Sequence, residues 1–231
     1  MPTLYPREKW DAHLARLNWR QGEHLMICAP TGSGKTTVAK TLLLKRGWVL
    51  GFFNKALDET AKDFGPEWER LKDWPRFGID TRQNRLMLWP ATKANVSETI
   101  AHHSDVFRRA VDAVHVQGHR TLFFDETHYL TGMCGLGREI EYFHYFGRSN
   151  NITCVTNMQR PRWVPKIIMS SVTHAYIGRT FDKDDLRHLS NLGGVDATEL
   201  AYNVSKLPNR YSFVYVNPQG DGQPSVVNTR W

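Results

Sequence analysis

The stretch from Ala29 to Thr37 has the composition of a loop that holds phosphate groups. It matches the pattern GxxxxGK followed by Ser or Thr, except that alanine replaces the first glycine. Glycine lets the main chain turn tightly, so that successive N–H groups can point at an anion. The helix that follows would add its positive end. We therefore predict that the phosphates of a nucleotide are bound by Ala29, Pro30, Thr31, Gly32, Ser33, Gly34, Lys35, Thr36 and Thr37.

A pair of acids could supply the remaining chemistry of such a site. Asp125 and Glu126 directly follow the apolar run from Thr121 to Phe124. We predict that Asp125 and the Thr36 hydroxyl hold Mg²⁺, and that Glu126 polarises the attacking water. We expect the two acids to lie on a strand that adjoins the strand of the phosphate loop. Lys35 would reach the β- and γ-phosphates of ATP. An acidic pair that only caps the next helix is the alternative, but glutamate directly after aspartate favours hydrolysis over a kinase reaction.

Strands and helices alternate around these two segments. The apolar runs predict strands at residues 24–28, 48–53, 85–88, 121–124, 152–156, 174–177, 211–216 and 225–229. Helical periodicity predicts helices at residues 6–20, 35–45, 57–64, 66–72, 96–116, 138–146, 164–171, 182–192 and 198–206.

This alternation predicts an α/β fold. Together with the phosphate loop and the acidic pair, it resembles the P-loop NTPases of the RecA/ASCE-like kind. We expect a mostly parallel central sheet flanked by helices, with a C-terminal β-hairpin. The predicted organisation is an N-terminal helix at 1–22, an ATPase core at 23–192, and a helix and hairpin extension at 193–231.

The composition of the chain indicates what kind of protein it is and what kind of partner it binds. The chain has 231 residues, 41% of them hydrophobic, and a net charge of +7, which favours a polyanionic partner such as DNA or RNA. Its three cysteines are far apart in the sequence, which predicts free thiols in a reducing cytoplasm and no structural zinc. We expect no membrane span, because no apolar run approaches about 20 residues.

A polar cluster after the predicted strand at 152–156 narrows the type of ATPase. The run Asn157-Met158-Gln159-Arg160-Pro161 stands where ligands lie in open α/β sheets. From about Glu23 to Leu192 the sequence resembles the HerA/FtsK superfamily of DNA-pumping ATPases, whose fourth strand ends in a Thr-Gln-Arg-Pro-like segment. Gln159, Arg160 and Pro161 match that segment, and Met158 replaces the threonine.

The resemblance implies roles for two further residues. Gln159 would sense the γ-phosphate, although an ordinary loop amide is the alternative. An arginine before the fourth strand would reach the nucleotide of a neighbouring subunit, and Arg148 is the candidate. A cation that complements the preceding helix is the alternative for Arg148. An arginine acting on a neighbour requires a homo-oligomer, usually a ring in this superfamily. Arg160 could equally bridge to an acidic neighbour or reach phosphate.

Two segments could contact nucleic acid in such an assembly. The first is the glycine-rich stretch from Thr131 to Arg138, and the second is a basic region near two tryptophans, formed by Arg76, Arg82, Arg85, Lys93, Trp74 and Trp89. A solvated surface or ordinary packing is the alternative for both.

The hypothesis is thus an ATP-hydrolysing motor that translocates double-stranded DNA. The small size looks like a viral genome-packaging ATPase, which would work in the host cytoplasm and dock on a viral portal or capsid partner. A phage or plasmid helicase or replication ATPase is one alternative. A P-loop nucleotide kinase or nucleotide-switch module is another, and a structural protein that binds nucleotide without turnover is a third.

Overall fold

A ten-stranded sheet organises the part of the chain that the computed structural model describes, which is residues 2–55, 62, 64–75, 85–180, 182–189, 192–220 and 222–229. The strands are β1 (Arg7–Lys9), β2 (His24–Cys28), β3 (Val49–Phe52), β4 (Glu69–Leu71), β5 (Arg85–Leu88), β6 (Thr121–Phe124), β7 (Thr153–Met158), β8 (Val172–Gly178), β9 (Ser212–Val216) and β10 (Ser225–Asn228). Their order is β1-β10-β9-β8-β2-β7-β6-β3-β5-β4. Pairing is parallel from β8 to β4, and β9 is antiparallel to β8 and β10. The predicted parallel sheet and C-terminal hairpin are confirmed.

Helices cover both faces of this sheet. They are α1 (Trp10–Arg16), α2 (Lys35–Leu43), α3 (Val96–Gln117), α4 (Gly137–Phe146), α5 (Lys166–Ser170), α6 (Lys183–Leu189) and α7 (Ala197–Ser205). A π-helical turn spans Tyr129–Met133, and 3₁₀ turns span Gly147–Asn150 and Pro161–Trp163. None of the helices in the described ranges is both long and apolar enough to cross a membrane.

Strand β2 shows how the two faces are buried. Leu25 packs in one apolar cluster with Val38 of α2. The next residue, Met26, packs in the opposite cluster with Phe107 of α3 and Phe143 of α4. Successive side chains of a strand point to opposite faces, so an unbroken apolar run is what a strand covered on both sides requires. The core thus fixes β2 in the middle of the sheet.

The N-terminal segment differs from the prediction. Instead of one helix over 6–20, residues Arg7 to Lys9 form strand β1, and α1 begins only at Trp10. Strand β1 pairs in parallel with β10, with Arg7 opposite Val226. The main-chain N–H of Val226 also donates to the carbonyl of Pro6 at 2.8 Å. Pairing with a strand distant in sequence overrides the local helical periodicity here.

A second prediction is wrong between residues 66 and 72. The predicted helix is instead the short edge strand β4, which pairs in parallel with β5. The predicted helix at 57–64 lies mostly outside the described residues. The other predicted strands and helices are present with shifted ends, and the helices predicted at 164–171 and 182–192 are shorter than expected. The three cysteines are free and buried.

Sheet order also corrects the expected relation between the phosphate loop and the acids. Strand β2 leads into the loop and β6 leads into Asp125, but β7 lies between these two strands. They are therefore not adjoining. Strands β1, β9 and β10 continue the same sheet at the other side of β8. The division of the chain at 1–22, 23–192 and 193–231 stays a prediction.

Candidate nucleotide site

The loop between β2 and α2 has the geometry of a phosphate cradle. Gly32 and Gly34 adopt positive φ angles of 75° and 85°, which lets the chain turn back sharply before α2 begins at Lys35. The Ser33 hydroxyl donates to the carbonyl of Pro30 at 2.7 Å, and the Lys35 ammonium donates to the same carbonyl at 3.0 Å. These bonds close the loop on itself at the positive end of the helix.

Alanine at the first position of the loop has a structural reason. Ala29 is buried in the core, and its N–H donates to the carbonyl of Met158 at 3.1 Å. Gly178, at the end of β8, lies directly against it, because a methyl group added to Gly178 would stand 2.4 Å from the Ala29 Cβ. The alanine methyl fills the space that the glycine opposite leaves open.

Asp125 lies beside Thr36 at the carboxyl end of the sheet. Its side chain is buried, and its Oδ1 accepts from the Thr36 hydroxyl at 3.4 Å and from the Asn157 amide at 3.3 Å. The Lys55 ammonium lies 3.6 Å from the other carboxylate oxygen. A hydroxyl and a carboxylate side by side suit Mg²⁺, which prefers oxygen ligands and usually keeps several waters. The donor set therefore fits the metal predicted for Thr36 and Asp125.

Glu126 is connected to the phosphate loop through Gln159. The Gln159 amide donates to both carboxylate oxygens of Glu126, at 2.7 and 3.1 Å. The amide oxygen of Gln159 accepts from the Thr31 hydroxyl at 3.0 Å. One amide side chain thus joins the loop that would hold the phosphates to the acid that would act on water.

These side chains surround a cavity of about 280 Å³. It is lined by Thr31, Gly32, Gly34, Lys35, Thr36, Thr37, Lys55, Asp125, Glu126, Gln159 and Tyr211. Ala29, Pro30 and Ser33 shape the loop behind it without lining the cavity. Burial lowers the pKa of Lys35, and the Glu126 carboxylate partly offsets this shift.

The sequence prediction did not include two residues of this cavity, Lys55 and Tyr211. Lys55 follows β3 at the same edge of the sheet as the acids, so its position after a buried strand was an available signal. Tyr211 comes from the segment before β9, and its ring would lie 3.6 Å from a methyl group added to Gly34. No local motif indicates that contact, because the start of β9 lies at this edge only through its antiparallel pairing with β8.

Arg148 lies away from the cavity. It belongs to the 3₁₀ turn before β7, at the amino ends of the parallel strands, whereas the phosphate loop lies at their carboxyl ends. Arg148 is exposed and packs beside Gly22, which precedes β2. It therefore does not line the nucleotide site of its own chain.

Arg160 bridges to acidic neighbours, which is the first of the two alternatives given for it above. Its guanidinium forms ion pairs with Asp182 and with Asp185, the latter at 2.6 Å. The carboxylate of Asp182 also accepts the main-chain N–H groups of Asp184 and Asp185 at the start of α6, which lowers the pKa of Asp182. Arg160 thus holds the turn after β7 against α6.

The two segments predicted to contact nucleic acid are mixed in character. In the glycine-rich stretch, Met133 is exposed while Cys134 is buried. In the basic region, Arg85 donates to the carbonyls of Leu44 and Arg46, at 3.2 and 3.0 Å, which commits it to the end of α2. Trp74 is buried in the core.

The rest of the basic region is more accessible. Trp89 is only partly buried and donates through its indole N–H to the carbonyl of Lys55 at 2.8 Å. Lys93 is exposed, and Arg76 and Arg82 lie outside the described residues.

No protein-family model matches the chain, and no curated protein sequence matches it. Solved structures do. The genome packaging NTPase B204 from Sulfolobus turreted icosahedral virus 2, in complex with ATP-gammaS, is similar with a TM-score of 0.62 and 14% identity, over 90% of this chain and 98% of that one. VirB4 of Thermoanaerobacter pseudethanolicus is similar with a TM-score of 0.63 and 10% identity, over 89% and 88%. The pCW3 conjugation coupling protein TcpA gives 0.56 and 15%, over 89% and 59%. The chain has the fold of P-loop ATPases, and the resemblance drawn from its sequence is confirmed at the level of that fold.

Proposed function

We propose that this protein is an ATPase that translocates double-stranded DNA during the packaging of a viral genome. One observation carries the ATPase part of the proposal. A glycine-turned loop at a helix start, a buried aspartate beside a threonine hydroxyl, and a glutamate tied to the loop all meet in one cavity. Phosphoryl transfer needs positioning and charge stabilisation more than covalent chemistry, and this set supplies both.

Each residue has a definite task in that reaction. The main-chain N–H groups of the loop and the Lys35 ammonium bind and orient the phosphates. Thr36 and Asp125 would hold Mg²⁺, and the ion would supply charge neutralisation at the phosphate oxygens. Glu126 orients the attacking water and accepts its proton on a carboxylate oxygen.

Gln159 gives this site a way to respond to its nucleotide. In the structure the Gln159 amide nitrogen donates hydrogen bonds to both carboxylate oxygens of Glu126, and the Gln159 amide oxygen accepts one from the Thr31 hydroxyl. A γ-phosphate at the loop would compete for the Thr31 hydroxyl and the Gln159 amide. Release of that amide would free Glu126 for water, so hydrolysis would start only once the nucleotide is seated.

Two observations support DNA as the partner, and a third supports a homo-oligomer. The net charge is +7, which favours a polyanion. The similar structures include a genome packaging NTPase, and another in the same group is described as a DNA-packaging ATPase. Arg148 lies exposed at the amino ends of the strands, away from the cavity of its own chain. If it acts on a nucleotide, that nucleotide belongs to a neighbouring subunit. A ring of identical subunits would meet that requirement.

The test is the ATPase rate with and without long duplex DNA, measured alongside particle mass in the presence of nucleotide. We expect DNA to raise the rate and the mass to correspond to several subunits. Lys35→Ala is the control without turnover. Strand displacement on a forked duplex would favour the helicase alternative. A monomer whose turnover ignores DNA would refute the motor and favour the kinase or switch alternative.

Subunit mixing tests the arginine. An arginine supplied across an interface is worth about 10³–10⁵ in rate. Arg148→Ala subunits added to unmodified ones should therefore lower turnover more steeply than simple dilution does. Arg7→Ala, which removes an exposed arginine on β1, should follow the dilution line. If Arg148→Ala follows that line as well, the residue does not act on a neighbour.

A further inference from the structure

A second cavity opens at the opposite edge of the sheet from the nucleotide site. Its volume is about 570 Å³, and its lining includes Gln21, Trp48, Arg120 and Asn151. Each of these residues shortly precedes a parallel strand, namely β2, β3, β6 and β7 in turn. The cavity therefore lies at the amino ends of these strands, and it shares no lining residue with the nucleotide site.

Arg120 is the unusual residue of this cavity. It is only 4% exposed, and its Nη1 is buried without a hydrogen-bond partner. Within the described residues, its guanidinium forms no ion pair and no hydrogen bond. The guanidinium carbon lies 5.5 Å from the centroid of the Trp48 ring. Burial lowers the pKa of Arg120.

A neighbouring arginine shows the usual arrangement. Arg46 is also buried, but its guanidinium donates to the carbonyl of Arg20 at 2.9 Å and to the Gln21 amide oxygen at 3.5 Å. It also stacks on Trp19 at 3.6 Å. A buried guanidinium without such partners costs folding free energy, because it loses water and gains nothing in return. Arg120 is in that position.

The walls around Arg120 are polar but not acidic. The Gln21 amide donates to the carbonyls of Arg120 and Asn151 at 3.1 and 2.6 Å, which fixes that wall. Of the described residues that line the cavity, none is aspartate or glutamate. Trp48 is partly exposed at the rim and offers an aromatic face. The cavity thus contains a cation, a flat apolar surface and amide groups, and lacks an anion.

We propose that this cavity is a binding site for the phosphate group of a small ligand, with Arg120 as its anchor. A planar guanidinium fork matches phosphate oxygens and binds them strongly where water is excluded. The cavity volume lies within the range of roughly 300–1,000 Å³ that is usual for small-molecule sites. The ring of Trp48 covers the non-phosphate part of the ligand. This site does not depend on the function proposed for the phosphate loop.

Inorganic phosphate is the probe, in a protein whose phosphate loop is disabled. The melting temperature of Lys35→Ala is measured in phosphate and in chloride at equal ionic strength. We expect phosphate at about ten times its dissociation constant to raise the melting temperature by about 3–6 °C. Adding Arg120→Met should abolish the rise. Arg108→Met removes a partly exposed arginine that pairs with Glu139, and it should leave the rise intact.

The variant also separates a binding role from a structural one. Methionine keeps the packing against Trp48 and removes the unpaired charge, so in chloride Arg120→Met should melt at the same or a higher temperature. A lower melting temperature in chloride, or a phosphate response that survives in Arg120→Met, overturns the proposal. If phosphate has no effect and Arg120→Met instead lowers the particle mass, the anion belongs to another copy of the chain, and the small-ligand site is refuted.

Discussion

Replacing Gly178 with alanine should displace the phosphate loop, because the new methyl group has no room. It would stand 2.4 Å from the Cβ of Ala29, which is roughly 1–1.5 Å closer than the roughly 3.5–4.0 Å at which carbon atoms rest. Both positions are buried in strands or at their ends, so the loop and β8 must separate by about that distance.

Two magnitudes follow from this clash. Overpacking of a core by a methyl group costs about 1–3 kcal/mol of stability, which is about 2–12 °C of melting temperature in a protein of this size. A shift of about 1 Å in groups that position a substrate can lower a rate about 10²-fold. Thermal unfolding and ATP turnover are the assays. Gly47→Ala is the matched control, because an added methyl there meets nothing within 4 Å.

Removing the Ala29 methyl group from the Gly178→Ala variant should restore both stability and turnover. Ala29→Gly combined with Gly178→Ala restores the total volume, and volume-conserving exchanges are tolerated best. We expect a coupling energy of about 1–3 kcal/mol between the two substitutions and recovery of most of the turnover. Additive losses in the double variant, or a Gly178→Ala protein that melts and turns over normally, would show that this contact does not position the loop.

Three other predictions concern the acid, the aromatic ring and a buried histidine. Glu126→Gln should keep nucleotide binding and lower turnover about 10²-fold or more, and normal turnover would remove Glu126 from the reaction. Tyr211→Ala should raise the KM for ATP with little change in kcat, because the ring lines the cavity beside Gly34, and Tyr211→Phe should preserve KM. Burial lowers the pKa of His24 from 6.5 to about 4, and its Nδ1 accepts the N–H of Cys154 at 3.0 Å. As the pH falls from about 6.5 to about 4, this histidine is therefore protonated in the unfolded chain but not in the folded protein. The free energy of unfolding then falls by about 1.4 kcal/mol per pH unit through this residue. His24→Asn, which keeps an acceptor, should flatten the dependence of unfolding free energy on pH by that amount, and an unchanged slope would contradict the assignment.

The parts of the site that lie within short segments could be predicted from the sequence. The loop from Ala29 to Thr37 contains its own glycines, cation and hydroxyl, so its chemistry does not depend on distant residues. Asp125 and Glu126 directly follow an apolar run that reads as a buried strand, so the sequence also indicates their place at the end of that strand. The resemblance to a known superfamily indicates Gln159, and the structure shows that its side chain contacts Thr31 and Glu126.

The parts that depend on strand order could not be predicted. The position of β7 between β2 and β6 places Asn157 on Asp125 and Gln159 on Glu126, and no local pattern indicates it. Strands β1 and β4 form because an edge offers partners, whereas their own residues read equally well as helix. The cavity at Arg120 has the same origin, since four loops meet there only after the sheet has formed.

The pairing of β1 with β10 has a consequence for how the protein folds during synthesis. Arg7 lies opposite Val226, so β1 leaves the ribosome long before the strand with which it pairs. Contacts this distant in sequence form slowly, and domains fold as their segments emerge. The nucleotide loop and the strands around it can therefore assemble while β1 is still unpaired. The pairing of β10 with β9 is then the step that provides the edge on which β1 can bind.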